Sequence, residues 1–227
     1  MSENEWSKLV SVTEVSQSTK ERVLNPSLIS LVKKYCNPGA QVFDYGCGRG
    51  EFANTLNIMG LSVMAYDRSD EMVDKAKRRF PKTPLLSFDE FKEQLPLLKN
   101  RFDLVTSNLV LCILEKQDQT EMLINIKALL KTKGKAIVSF CHPKYDFLPE
   151  SLMTINTIPI NASYDSEFRY EKTIKENGAC FHDYHRPMVY YENLFRDSGF
   201  SIMDVLESEV VDADYPPDFI LFGLAVG

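Results

Sequence analysis

The sequence predicts an α/β fold, a doubly wound, seven-stranded and mostly parallel sheet with an antiparallel last strand, a helical N-terminal extension and a β-hairpin cap. Three observations predict it. A short apolar run at 41–45 breaks into Gly46, Gly48 and Gly50 on alternate positions, which reads as a strand entering a ligand-binding loop ahead of a helix. Short apolar runs then alternate with amphipathic helical segments, as a parallel sheet with crossover helices requires. The chain closes on two apolar runs, 200–206 and 219–226, one hairpin-length loop apart, which suits an antiparallel pair at the end of such a sheet.

Taken in order, residues 1–24 are polar with scattered Trp6, Leu9, Val10 and Val15, giving a helical extension with no core of its own. Asn25-Pro26 starts a helix, because Asn caps free N–H groups and Pro fits the first turn. Leu28, Ile29, Leu31, Val32 and Tyr35 form its apolar side, and Asn37-Pro38-Gly39 stops it. The first strand (41–45) and first helix (51–59) flank the glycine loop. A second strand at 61–66 ends at Asp67, and Ser69 caps a helix at 70–80 whose last turn is basic (Lys75, Lys77, Arg78, Arg79). A short third strand covers 84–88, followed by a helix or turn at 91–98. The fourth strand, 102–107, leads to an amphipathic helix at 118–130. Lys131-Thr132-Lys133-Gly134 reads as the turn into a fifth strand at 135–141. A helix at 190–198 precedes the closing pair.

The 227 residues suffice for one α/β domain and fall short of two. We therefore expect a single domain over 1–227, with a cap inserted at 143–189. A net charge of −6 provides no field to attract phosphate backbones or anionic membrane surfaces, so neither nucleic acid nor a membrane is an expected partner. Cys36, Cys47, Cys112, Cys141 and Cys180 are odd in number, widely spaced and never in C-x-x-C, which fits neither a disulfide scaffold nor a zinc site. No metal is expected. Residues 1–8 lack the pattern of a signal peptide, and no apolar stretch is long enough to span a bilayer, so the expected location is the cytoplasm.

In a doubly wound sheet the ligand lies beyond the C-terminal ends of the strands, at the switch point beside the first one. A dinucleotide loop has the form G-x-G-x-x-G, but Glu51 stands where its third glycine belongs, which argues against an NAD-dependent dehydrogenase. The G-x-G-x-G spacing, preceded by Asp44, resembles motif I of the class I S-adenosylmethionine (SAM) dependent methyltransferases. Further likenesses follow at the right intervals. They are the strand-end acid Asp67, the stretch Phe102-Asp103-Leu104-Val105-Thr106-Ser107-Asn108, and Leu129-Leu130-Lys131-Thr132-Lys133-Gly134-Lys135, similar to the family's "FDLV" strand and "LLKPGG" turn. Thr132 and Lys133 depart from the Pro and Gly usual there.

The resemblance covers roughly residues 25–142 and implies SAM as cofactor. It places Asp44, Tyr45, Gly46, Cys47, Gly48 and Gly50 around the cofactor, with Asp67 and Arg68 at the end of the second strand, where a carboxylate accepts hydrogen bonds from ribose hydroxyls. Ser87 and Phe88 would neighbour the adenine, although the family's Asp is found here one place along, at Asp89. Asn108 and Leu109 would line the methionine end.

The subtype resembles methyltransferases of small molecules, on Cys141-His142-Pro143 and His185-Arg186-Pro187. The forty or so residues between them exceed what the core sheet needs. Within them, Asn177-Gly178 is a hairpin turn signal between two runs rich in aromatic residues. Tyr170, Phe181, Tyr184 and Arg186 are the candidate acceptor-binding residues, with Phe168 among the aromatic positions. His142 and His185 are the candidate general bases, since histidine gives up and takes protons near neutral pH. The expected activity is methyl transfer to an O or N atom of a small cytosolic metabolite. The alternatives are an RNA or protein methyltransferase and a SAM-binding module without turnover.

Overall fold

The computed structural model describes residues 20–175, 178, 180–210 and 214–227. The expected extension at 1–19 and Asn177 of the hairpin turn lie outside them. A seven-stranded sheet in the order β3-β2-β1-β4-β5-β10-β9 forms the centre. Its strands are β1 (Gln41–Tyr45), β2 (Ser62–Tyr66), β3 (Leu85–Leu86), β4 (Phe102–Asn108), β5 (Leu130–Cys141), β9 (Phe200–Glu207) and β10 (Phe219–Val226). The first five run parallel, and β10 pairs antiparallel with both β5 and β9. The order reverses between β1 and β4, which fixes the switch point beside the glycine loop.

Both faces of β1 are covered, so it reads as a continuous apolar run rather than an alternating one. Val42 packs with Leu28, Leu56 and Val73 on the side of helices α1 (Asn25–Tyr35), α2 (Glu51–Ile58) and α3 (Asp70–Arg79). Phe43 packs with Phe91, Phe102 and Leu123 on the side of α4 (Phe88–Leu98), α5 (Lys116–Leu129) and α7 (Met188–Asp197).

Three boundaries differ from the sequence reading. The helical stretch begins before Asn25, the first residue of α1: a π-helical turn at Lys20–Leu24 runs into it, so Asn25 is not a cap, because Val23 and Leu24 bury themselves in the core. Strand β3 stops at Leu86 because Ser87 is the N-cap of α4. The Ser87 hydroxyl accepts from the Glu90 N–H, and the Glu90 carboxylate accepts from the Ser87 N–H. No separate turn forms at 131–134. The strand β5 already begins at Leu130, with a register shift against β4 and the Lys131 ammonium 2.7 Å from Asp103.

Between β5 and α7 lies a second, three-stranded antiparallel sheet: β6 (Thr154–Thr157), β7 (Phe168–Ile174) and β8 (Cys180–His185). The expected hairpin is β7–β8, and β6 adds a strand that the sequence reading lacked. This sheet is tied to the core by two buried devices. Lys172 on β7 reaches Asp146 on α6 (Pro143–Asp146) at 2.9 Å and Asp183 on β8 at 2.6 Å, all three side chains being under a tenth exposed. Burial works against the Lys172 charge, but the two carboxylates outweigh it and hold the ammonium well above its ordinary range. Arg186 donates to the carbonyls of Cys112 and Leu114 at 2.9 and 2.7 Å. No helix among the described residues is long and apolar enough to cross a membrane.

Deleting the cation strands two buried carboxylates, so Lys172→Met is expected to cost about 3–5 kcal/mol in urea denaturation. Glu171→Met, on the exposed face of the same strand, is the control and should stay within about 0.5 kcal/mol of the parent.

Candidate functional site

The loop after β1 is built on three left-handed glycines, Gly46 (φ +81), Gly48 (+56) and Gly50 (+81). A side chain at Gly46 would overlap Val110, which follows β4, while the Cβ position of Gly48 has no atom of the described residues within 4 Å. The loop is therefore closed against the sheet at one end and open in the middle. Gly46 and Cys47 both donate their N–H to the Tyr66 carbonyl at the end of β2, at 2.8 and 2.9 Å. Gly48 donates to Asp67 Oδ2 at 2.7 Å, and Ser69 donates to Oδ1 at 2.9 Å. The Arg68 N–H adds a third backbone bond to this carboxylate, which leaves about one of its four lone-pair positions for a further donor.

Two carboxyls meet at this point. Burial raises the Asp67 carboxyl, against the pull of the Ser69 and Gly48 N–H groups. Asp44 is 1% exposed and accepts from the Thr106 hydroxyl at 2.7 Å. Burial pushes it up to about 6, with Thr106 and the ammonium of Lys20 pulling the other way. Lys20, on the π-helical turn, bears on Asp67 as well. It has no counterpart in the sequence reading, because it stands outside every motif.

The other residues expected around a cofactor fall into two groups. Arg68 places its guanidinium 5.3 Å from the centre of the Phe88 ring, with the Lys92 ammonium at 4.0 Å from the same ring. Asn108 is buried, its Oδ1 accepting from Ser139, and Leu109 carries a left-handed φ of +61 that is rare outside glycine. Tyr45 and Ser87 serve the scaffold with their side chains. The Tyr45 ring packs between Tyr66 and Phe91 in the core, its carbonyl accepts from Ser107, and Ser87 caps α4. The Cys47 thiol is buried and pushed upward by desolvation.

On the cap side, the strand period divides the expected acceptor residues. Phe168, Tyr170 and Lys172 face His185, Asp183 and Phe181 across the β7–β8 ladder, so all six share one face. Tyr184 stands on the other face of β8, its hydroxyl 3.4 Å from Glu115. Tyr170 is buried and its hydroxyl has no partner among the described residues. Lys172 was legible as inward from this alternation with Tyr170, although no motif marks it.

The two histidines differ sharply. His142 Nδ1 accepts from the Lys144 N–H at 3.0 Å, which leaves the proton on Nε2, 3.2 Å from Glu207. Both nitrogens are used, and burial lowers the ring against the opposing pull of Glu207. His185 bonds the Tyr164 carbonyl through Nε2 at 2.8 Å, while Nδ1 is buried without a partner among the described residues. His185 also lines a cleft of about 490 Å³ between the cap and the start of α5, together with Glu115, Lys116, Phe168, Tyr184 and Arg186.

A methyltransferase domain model matches residues 43–138. A malonyl-[acyl-carrier protein] O-methyltransferase of Buchnera aphidicola is 35% identical over 94 residues, 41% of this chain and 36% of that protein. A ribosomal protein L11 methyltransferase of Thermotoga neapolitana is 34% identical over 83 residues, 36% of this chain and 31% of that protein. The chain thus spans about a third of the length of these curated relatives. A solved SAM-dependent methyltransferase of Mesorhizobium loti superposes with a TM-score of 0.63 at 24% identity, covering 86% of this chain and 95% of that one. Residues 43–138 are similar to the methyltransferase domain model, and the chain has the class I methyltransferase fold.

Proposed function

We propose that this protein is a SAM-dependent methyltransferase that methylates an O or N atom of a small cytosolic molecule. One observation carries the cofactor assignment. The carboxylate of Asp67, bonded by the N–H groups of Gly48, Arg68 and Ser69 and with room for one further donor, lies beside Gly48 at the switch point, where a ribose can offer a hydroxyl. SAM supplies a methyl carbon on a positively charged sulfur, already activated for displacement. The protein's task is to hold the nucleophile in line at about 3–3.5 Å and to keep water out.

In this reading Asp67 accepts from the ribose, and Arg68 and Phe88 flank the adenine. Asn108 and Leu109 line the methionine end, and Asp44 favours the cofactor's positive charge. The cap, spanning 143–189, encloses the acceptor. Support for a small acceptor comes from the size of the cleft beside His185, which lies in the range of small-molecule sites. The net charge of −6 weighs against RNA. The Thermotoga relative is named for a protein substrate, but this chain spans 31% of it.

Two measurements check the cofactor assignment. Asp67→Ala removes charge-assisted bonds of about 1.5–3 kcal/mol each, so calorimetric titration should show SAM affinity falling about tenfold or more. The second is pH dependence. Cofactor charge favours ionised Asp44, so binding should release a proton, and affinity should rise as pH passes upward through about 6 and then level off. Asp44→Asn should flatten that rise.

A further inference from the structure

Resting on the methyltransferase reading, we propose that the acceptor is a ring-bearing carboxylate, and that Arg186, in the cleft between the cap and the start of α5, is the counter-ion that receives it. The residue is 3% exposed and lines that cleft. Among the described residues its guanidinium donates to two neutral carbonyls, of Cys112 and Leu114, at 2.9 and 2.7 Å, and it forms no ion pair with a carboxylate. Two of the five N–H groups that a guanidinium carries are thereby used, and the rest are left over. A buried cation matched by carbonyls alone is costly until an anion meets it. The rings of Tyr184 and Tyr190, centred 4.5 and 5.4 Å from the guanidinium carbon, lessen that cost without supplying a negative charge.

The carboxylates in the neighbourhood are committed elsewhere. Asp146 and Asp183 hold Lys172 at 2.9 and 2.6 Å, Glu167 holds Lys116 at 2.9 Å, and Glu115 accepts from the Tyr184 hydroxyl at 3.4 Å. The counter-ion of Arg186 therefore has to come from a ligand.

The cleft also selects the kind of anion. Its charged side chains are Lys116, Arg169 and Arg186 against Glu115 and Glu167, a single positive charge in balance on a chain whose net charge is −6. One positive charge balances a carboxylate, whereas two resident carboxylates repel a phosphate near its dianionic state. Phe168 and Tyr184 line the same space, and aromatic side chains there favour a flat apolar body behind the carboxylate. A volume of about 490 Å³ suits a molecule of that size. Arg186 further sets where the anion lies along the chain. Its two carbonyl partners belong to the segment that follows Asn108 and Leu109, the residues assigned above to the methionine end of the cofactor.

The test is a calorimetric titration of the full chain with 2-naphthoate and with its neutral isostere 2-naphthamide, each with and without S-adenosylhomocysteine. 2-Naphthoate should bind about tenfold tighter than the amide, and Arg186→Gln should abolish the difference. Because Arg186 also ties the cap to the core, a second measurement needs no variant. In nitrogen NMR of the parent protein with labelled arginine, the Arg186 Nε–H signal should shift on addition of 2-naphthoate and stay in place with the amide. Equal affinity for the two probes, binding of neither, a preference that survives in Arg186→Gln, or an Arg186 signal that 2-naphthoate does not move overturns the proposal. S-adenosylhomocysteine binding is read separately. Its absence beside an intact preference for 2-naphthoate would remove the methyltransferase reading and leave the anion site standing.

Discussion

The hydrogen bond from the Gly48 N–H to Asp67 is the contact on which the site's geometry depends. It joins the middle of the glycine loop to the end of β2, one residue past the Tyr66 carbonyl that already holds Gly46 and Cys47. With the loop pinned at both places, three successive left-handed glycines can be maintained and α2 can start at Glu51. A charged carboxyl is an expensive group to bury for this purpose, and burial does raise its proton affinity. The expense makes sense if the remaining lone pair has work to do.

The same contrast between satisfied and half-satisfied polar groups runs through the molecule. The Asp146–Lys172–Asp183 trio and His142 are buried with their polar atoms engaged, and they hold the cap sheet, α6 and β9 together. Among the described residues, Asp67 keeps room for one further donor beside Gly48, and His185 keeps a buried Nδ1 without a partner. Charge alone does not separate the two classes; Lys172 is more deeply buried than Asp67 yet is wholly committed to the fold.

Periodicity and glycine spacing made most of the central sheet legible, since each parallel strand is an apolar run bounded by turn residues. Asp67 was legible for the same reason, standing where a strand ends. Boundaries governed by contacts rather than pattern were harder. Ser87 can end a strand or cap a helix, and Glu90 three residues on decides for the helix. Asn25 looks like a cap, but the burial of Val23 and Leu24 carries the helical turn past it. The aromatic cap residues illustrate a similar limit. Their composition suggested a single lined surface, while the two-residue strand period sends Tyr184 to the face opposite Tyr170 and Phe181. Likewise His142 and His185 are alike in sequence, each next to a strand end, and only their hydrogen-bond partners tell them apart. Lys20 left no signal at all, because its relation to Asp44 and Asp67 is made wholly by tertiary folding.

The most direct test of the central claim, that this loop is a SAM site, is the thermal midpoint of the protein with S-adenosylhomocysteine against NAD. Ligand at about 100 times its dissociation constant stabilises by about 2.7 kcal/mol, and a chain of this size gains roughly 2–4 °C for each kcal/mol. The midpoint should rise by several degrees with S-adenosylhomocysteine and stay unchanged with NAD. A rise with NAD alone, or none with the sulfur compound, would contradict the account.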